Sequence, residues 1–186
     1  MWKSEQQNVL QTSYRIVVRD GETVVWDTGE VLSDQQSFVS YEGDALQSVT
    51  AYTWSLTVTD TFGETDTAEA SFETGLLSEQ DWQAVWIEAR FDRPATEQPP
   101  FWALKPPVWF EKTIVLRAPV KRARLFATAH GIYRAHVNGA RVSDAEFAPE
   151  HTVYDKVLYV QSCPAEHLLT VGENRLSFEV ADGWYH

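Results

Sequence analysis

Cysteine is nearly absent from this chain. Cys163 is the only one in 186 residues, so no internal disulfide can form and the fold must rest on its core. A single thiol suits a reducing compartment. Long apolar runs are also missing. None approaches the ~18 residues that a membrane span needs, which excludes a spanning helix. No basic segment followed by an apolar run stands at the start, so no signal peptide is read there. A cytoplasmic location is expected, with secretion left open because the chain reads as cut from something longer. Positive charge is scarce: 15 Lys and Arg stand against 27 Asp and Glu, a net charge of −12. That balance argues against nucleic acid and anionic membrane as partners. The acidic residues are dispersed rather than gathered in a tail, and a neutral partner, a sugar or another protein, fits better.

Aromatic residues are plentiful, with 8 Trp, 7 Tyr and 9 Phe. Together with many β-branched residues and a single methionine they favour strands. Tyr14, Ile16 and Val18 share one face of a strand over 12–19, and Asp20-Gly21 reads as a hairpin turn into a strand over 23–26. A short third strand is predicted over 37–41. The clearest strand is 51–59, where Tyr52, Trp54, Leu56 and Val58 alternate with Thr and Ser, and 67–74 returns the chain. Short strands without intervening helices read as a β-sandwich.

Between residues 77 and 107 the character changes. Ser78-Glu79-Gln80-Asp81 has the form of a capping box and predicts one helical turn. Trp86-Ile87 could begin a strand. Pro94, Pro99, Pro100, Pro106 and Pro107 then remove ladder donors, so the stretch reads as a linker and loop. Strands resume over 110–116, 122–128 and 132–137. Asn138-Gly139 is a strong hairpin signal, since both residues accept positive φ. Further strands are predicted over 157–161 and 174–180, with one turn at His167-Leu168-Leu169 closed by Gly172. The fold class is therefore all-β, two sandwiches, with domains at 1–76 and 108–186.

No catalytic motif stands out. There is no G-x-S-x-G, phosphate loop or dinucleotide fingerprint. Cys163 has no nucleophile signature around it. His130 and His136 have the same strand parity but lie about 20 Å apart along a strand, too far for one metal. Asp144, Glu146, Glu150 and Asp155 read as a solvated loop. Tyr133, Tyr154, Tyr159, Trp184 and Tyr185 lie near turns or strand ends, where flat rings either fill the core or offer stacking faces to a sugar.

The second half resembles the amino-terminal module of bacterial α-L-rhamnosidases. The resemblance is carried by Val120-Lys121-Arg122-Ala123-Arg124-Leu125, Gly131-Ile132-Tyr133, Val137-Asn138-Gly139-Ala140-Arg141-Val142 and Ala148-Pro149. It continues through Tyr154-Asp155-Lys156-Val157-Leu158-Tyr159, Leu168-Leu169-Thr170-Val171-Gly172-Glu173-Asn174 and Asp182-Gly183-Trp184-Tyr185. Residues 8–16, Trp26-Asp27-Thr28-Gly29, Tyr52-Thr53-Trp54, Phe72-Glu73-Thr74-Gly75 and Trp82-Gln83-Ala84-Val85-Trp86-Ile87 are similar to the fibronectin type III-like domain that precedes that module and to the entry into it. The chain departs from the pattern at Glu150-His151, where the family usually has Gly and Trp, at Cys163-Pro164-Ala165, and at Ala181.

The resemblance implies a fibronectin type III-like sandwich followed by a jelly-roll, galactose-binding-like one that is truncated at its C-terminal end. It also implies an accessory region of an inverting glycosidase whose helical barrel, further along the same polypeptide, hydrolyses terminal α-L-rhamnose between two carboxyls. No residue here takes a catalytic role, and the isolated chain is expected to be inactive. Tyr133, Asn138, Tyr154, Asp182 and Trp184 are the residues expected to meet a carbohydrate, a rhamnose-containing glycoside. No cofactor or metal ligand is expected; the family admits calcium, which no motif here supports. Autonomous sugar binding, bracing of the barrel and homo-oligomerisation remain as roles.

Overall fold

The computed structural model describes residues 9–89 and 106–185. Chain contacts divide it into two compact units, Met1–Ala84 and Val85–His186. Among the described residues there is no α-helix; eleven strands and two short 3-10 turns make up the regular structure.

The first unit holds one antiparallel sheet of five strands: β1 (Gln11–Asp20), β2 (Thr23–Asp27), β3 (Val31–Leu32), β4 (Ala51–Asp60) and β5 (Thr65–Glu73). Their order is β2-β1-β4-β5, with β3 also bonded to β1. The β1–β2 hairpin turns where Asp20-Gly21 predicts it, with Gly21 at φ +55 and Asp20 paired to Thr23. Alternation in β1 and β4 puts Tyr14, Ile16, Val18, Trp54, Leu56 and Val58 along an open apolar groove of about 1010 Å³. Across the β4–β5 pair Tyr52 stacks on Phe72 at 5.4 Å.

The strand predicted over 37–41 does not form. Phe38 has φ +57, which interrupts the extended run, and neither edge of β1 is free to receive it, because β2 and β3 take one and β4 the other. The segment is held by side chains instead: the Tyr41 hydroxyl donates to the Asp44 carbonyl at 2.7 Å and its ring sits edge-on to Trp26 at 5.0 Å. The predicted capping box does form. Ser78 caps a 3-10 turn over Glu79–Asp81, and the Asp81 carboxylate accepts from the Ser78 N–H at 3.2 Å.

The second unit is a sandwich of unequal sheets. One has four strands in the order β6 (Val108–Leu116), β11 (Gly172–Ala181), β8 (Ile132–Val137), β9 (Ala140–Arg141). The other has two, β7 (Arg124–Ala127) and β10 (Gln161–Pro164), paired antiparallel. Leu176, Phe178 and Val180, the alternating residues of β11, face inward with Tyr133, Ala135 and Val137 of β8 and pack against Leu125, Ala127 and Cys163. The Asn138-Gly139 hairpin has both residues at positive φ, +52 and +84, as a type I′ turn demands. Two predicted strands are displaced. Trp86-Ile87 is irregular, and 157–160 is unpaired, so β10 begins where the predicted strand ends. Pro94, Pro99 and Pro100 of the predicted loop lie outside the described residues.

Candidate functional site

Two glycines decide where the rings of the second unit meet. Gly131 has φ +103, and a Cβ there would press on the backbone carbonyls of Ala181 and Asp182, the latter at 2.7 Å. Gly183 has φ +57, and its Cβ would lie 2.8 Å from the Ile132 Cγ2. The chain leaving β7 and the chain leaving β11 therefore cross at closer than ordinary side-chain distance. The Tyr185 N–H donates to the Asp182 carbonyl at 2.9 Å, which turns the second of these segments back toward the first.

At this crossing His130 lies between Trp86, at 4.6 Å and 28°, and Tyr185, at 4.4 Å and 26°. Tyr154 meets both His130 and Tyr185 edge-on, at 6.1 and 5.3 Å. His151 stands edge-on to Tyr154 at 6.1 Å and to Trp184 at 5.8 Å, and Trp184 meets Phe147 at 5.9 Å. Seven rings are thus linked at one end of the sandwich.

Two turns present them. The Glu150 N–H donates to the Phe147 carbonyl around the cis Ala148-Pro149 bond, and the Tyr133 N–H ties this loop to β8 through the Ala148 carbonyl at 2.7 Å. The Lys156 and Val157 N–H groups both donate to the Val153 carbonyl, closing the turn that carries Tyr154. Trp86 is 63% exposed, Phe147 59%, Trp184 49% and Tyr185 42%. Within this shell the Tyr154 hydroxyl is buried and has no hydrogen-bond partner among the described residues.

The five residues singled out in the sequence part company here. Tyr154 and Trp184 belong to the cluster. Asp182 supplies the carbonyl of the turn beneath it. Tyr133 is in the core, 7% exposed; its hydroxyl donates to the Ala127 carbonyl at 3.3 Å, and burial pushes its phenol up. Asn138 is spent on structure: its amide donates to the Leu168 carbonyl and to the Asn174 side chain, both at 2.9 Å, and its oxygen accepts from the Arg175 N–H. His136 stacks on Trp109 instead of approaching His130. Trp86 lies in the run similar to the family's entry into the second sandwich and His151 at a departure from its pattern, but the sequence singles out neither as a site residue, and Phe147 carries no local signal.

A separate polar group lies on the outer side of β8 and β9. Glu146 accepts from Arg141 at 2.9 Å and Arg134 at 3.0 Å, and these guanidinium groups hold its carboxyl below the usual carboxylate range. Among the described residues no three His, Cys, Asp or Glu side chains converge as a metal ion needs. The chemistry the ring cluster offers is non-covalent: stacking faces, edges and one buried hydroxyl.

The described residues form an antiparallel five-stranded sheet unit followed in one chain by a β-sandwich that exposes a patch of rings, the class of all-β domains that offer contact surface. Residues 1–78 match a family described as the Rha78A-like, N-terminal immunoglobulin domain, and residues 118–186 match the alpha-L-rhamnosidase N-terminal domain. The chain accordingly consists of the N-terminal domains of an α-L-rhamnosidase-like protein. It is 29% identical to an alpha-L-rhamnosidase of Formosa agariphila over 95% of its own length and 20% of the relative's. Against one of Streptomyces avermitilis it is 33% identical over 68% of this chain and 14% of the relative's. The solved α-L-rhamnosidase of Dictyoglumus thermophilum superposes with a TM-score of 0.87 at 27% identity, covering 98% of this chain and 22% of that one. The chain spans about a fifth of the length of the first of these relatives.

Proposed function

We propose that this region braces the remainder of a rhamnosidase-like enzyme and that the ring cluster around His130 is the surface through which it does so. The observation that carries the reading is the exposure of Trp86, Phe147, Trp184 and Tyr185 side by side at one end of the sandwich. A contiguous apolar patch of this kind marks an interaction surface. The rings already cover one another: both faces of His130 are occupied by Trp86 and Tyr185, so the cluster presents edges and half-faces to a partner rather than a flat platform.

Under this reading hydrolysis of α-L-rhamnosides belongs to polypeptide beyond these residues. The isolated chain turns over no aryl rhamnoside above a contaminant control, and it self-associates with rising concentration through the uncovered patch, as light scattering reads out. A strictly monomeric chain across the micromolar to millimolar range defeats the proposal.

One observation favours a second reading, autonomous carbohydrate binding: the Tyr154 hydroxyl is buried without a partner, as a group awaiting a sugar hydroxyl is. Calorimetry with L-rhamnose separates the two. Heat of binding at millimolar sugar supports the carbohydrate reading, and a flat trace supports the brace.

A further inference from the structure

The outer face of the four-stranded sheet carries an indole where a solvated sheet face ordinarily carries polar side chains. Register fixes which residues share that face. Trp109 stands opposite Glu179, and Glu179 opposite Arg134; two residues along, Glu111 stands opposite Ser177, and Ser177 opposite His136. Trp109 stacks on His136 at 5.8 Å and 30°, although β11 runs between their strands. The two rings therefore lean over β11 from either side, which accounts for Ser177 being buried on the outer face. The His136 Nδ1 is buried and has no hydrogen-bond partner among the described residues, so what the imidazole supplies here is its face. Trp109 is covered on one side by that face and is still 55% exposed, which leaves its other side open.

Ion pairs flank the rings in both directions along β11. Toward Ser177 and beyond, Arg175 bonds Glu111. Toward Glu179, Arg134 lies 3.9 Å from Glu179 and bonds Glu146, which also accepts from Arg141. Three guanidinium groups thus meet three carboxylates, and this face is balanced within a chain whose net charge is −12. A flat apolar face between paired donors and acceptors is the complement of a pyranose, which has an apolar C–H face and hydroxyls around its rim. The balance favours an uncharged sugar over a sugar acid or an amino sugar. It also disfavours a protein partner, because the core of a protein interface is depleted in charge and here a single ring is surrounded by it.

We infer that the outer face of this sheet holds a binding site for one uncharged pyranose unit, stacked on the open side of Trp109 with its hydroxyls on the Glu111–Arg175 and Glu179–Arg134 pairs. The site is separate from the ring cluster around His130: among the described residues Trp109 meets no ring but His136. The bracing role does not require it, and either can fail without the other.

Titrating the chain with methyl α-L-rhamnopyranoside and with methyl β-D-glucopyranoside, while following indole and backbone N–H resonances, tests it. At least one of these sugars shifts the Trp109 indole and the Ser177 and Glu179 amides, saturating at millimolar concentration. Trp109→Ala weakens that binding at least about 10-fold, and Trp109→Phe, which keeps a ring, recovers part of it. Galacturonate, a pyranose that carries a carboxylate, binds at least about 10-fold more weakly than the neutral sugar. An unmoved Trp109 indole at about 100 mM of both neutral sugars overturns the inference. Shifts confined to Tyr154 and Trp184 overturn it as well and support sugar binding at the ring cluster. Binding that survives Trp109→Ala undiminished, or galacturonate binding as tight as the neutral sugar, also overturns it.

Discussion

The Asn174 side-chain oxygen accepts a hydrogen bond from the Asn138 amide at 2.9 Å, which ties the β8–β9 hairpin to the start of β11. Asn174 is 1% exposed, and the same side chain also accepts from the Thr170 N–H at 2.8 Å and donates to the Thr170 and Gly172 carbonyls. One buried carboxamide thus satisfies backbone groups of a loop that has no ladder of its own.

Asn174→Ala leaves several of those groups unpaired in the interior. The expected loss is about 2–4 kcal/mol of unfolding free energy, read from urea denaturation. Asn138→Gly keeps the positive φ of the turn and loses only the side-chain bonds, so its cost is smaller, about 1–2 kcal/mol. Equal costs would show that the turn geometry, not the Asn–Asn bond, governs this corner.

Glu150 occupies the left-handed region at φ +80, a conformation that a side chain with a Cβ resists. Glu150→Gly removes that resistance and raises stability by about 1 kcal/mol, less the entropy that glycine adds to the unfolded chain. Glu150→Ala keeps the strain and gives no gain. Thermal melting of the two variants side by side checks the difference.

Arg15 and Asp27 form an exposed ion pair at 2.5 Å. The Arg15 guanidinium, with the Gly29 N–H behind it, holds the Asp27 carboxyl at about 2, against an ordinary value of 3.8. A depressed carboxyl contributes stability that is present above its unfolded value and lost as pH falls through the folded one, here between about pH 4 and 2. Arg15→Gln moves the Asp27 titration, followed by its side-chain carbon resonance, back toward 3.8 and removes that part of the acid dependence.

Tyr154→Phe deletes a buried hydroxyl that has no partner among the described residues. The variant keeps or gains up to about 1 kcal/mol of stability, because an uncompensated polar group leaves the interior. A marked loss would mean that a water or a sugar hydroxyl engages it in solution.

Much of this fold is legible in the sequence. The alternation in β4 and β11, the Gly21 and Asn138-Gly139 turns, and the Ser78 capping box are local signals, and each is found where it is read. Ser37–Tyr41 and Val157–Gln161 have strand composition too, yet whether they pair depends on whether a neighbour is available, and that is a property of the assembled sheet. The same limit applies to the cluster. Tyr154 and Trp184 stand out as aromatics near turns, whereas Tyr133, equally aromatic and equally near a turn, points inward because its parity on β8 matches Ala135 and Val137. Asn138 has a residue type suited to a sugar hydroxyl, but the corner at Asn174 consumes its amide. Trp86 and His130 lie 44 positions apart in the sequence, and no spacing rule links them; their stacking is visible only in the folded chain.

Cys163, the sole thiol, sits half-buried on β10 with its side chain packed against Val137 and Val142 of the facing layer. Its solitude makes the protein a one-label instrument. A thiol reagent added to the unaltered chain has a single place to react, between the two sheets, and its rate counts how often that seam opens. Comparing this rate in the chain alone and in the full-length protein would put a number on how firmly the rest of the polypeptide clamps the sandwich shut, with no mutation introduced.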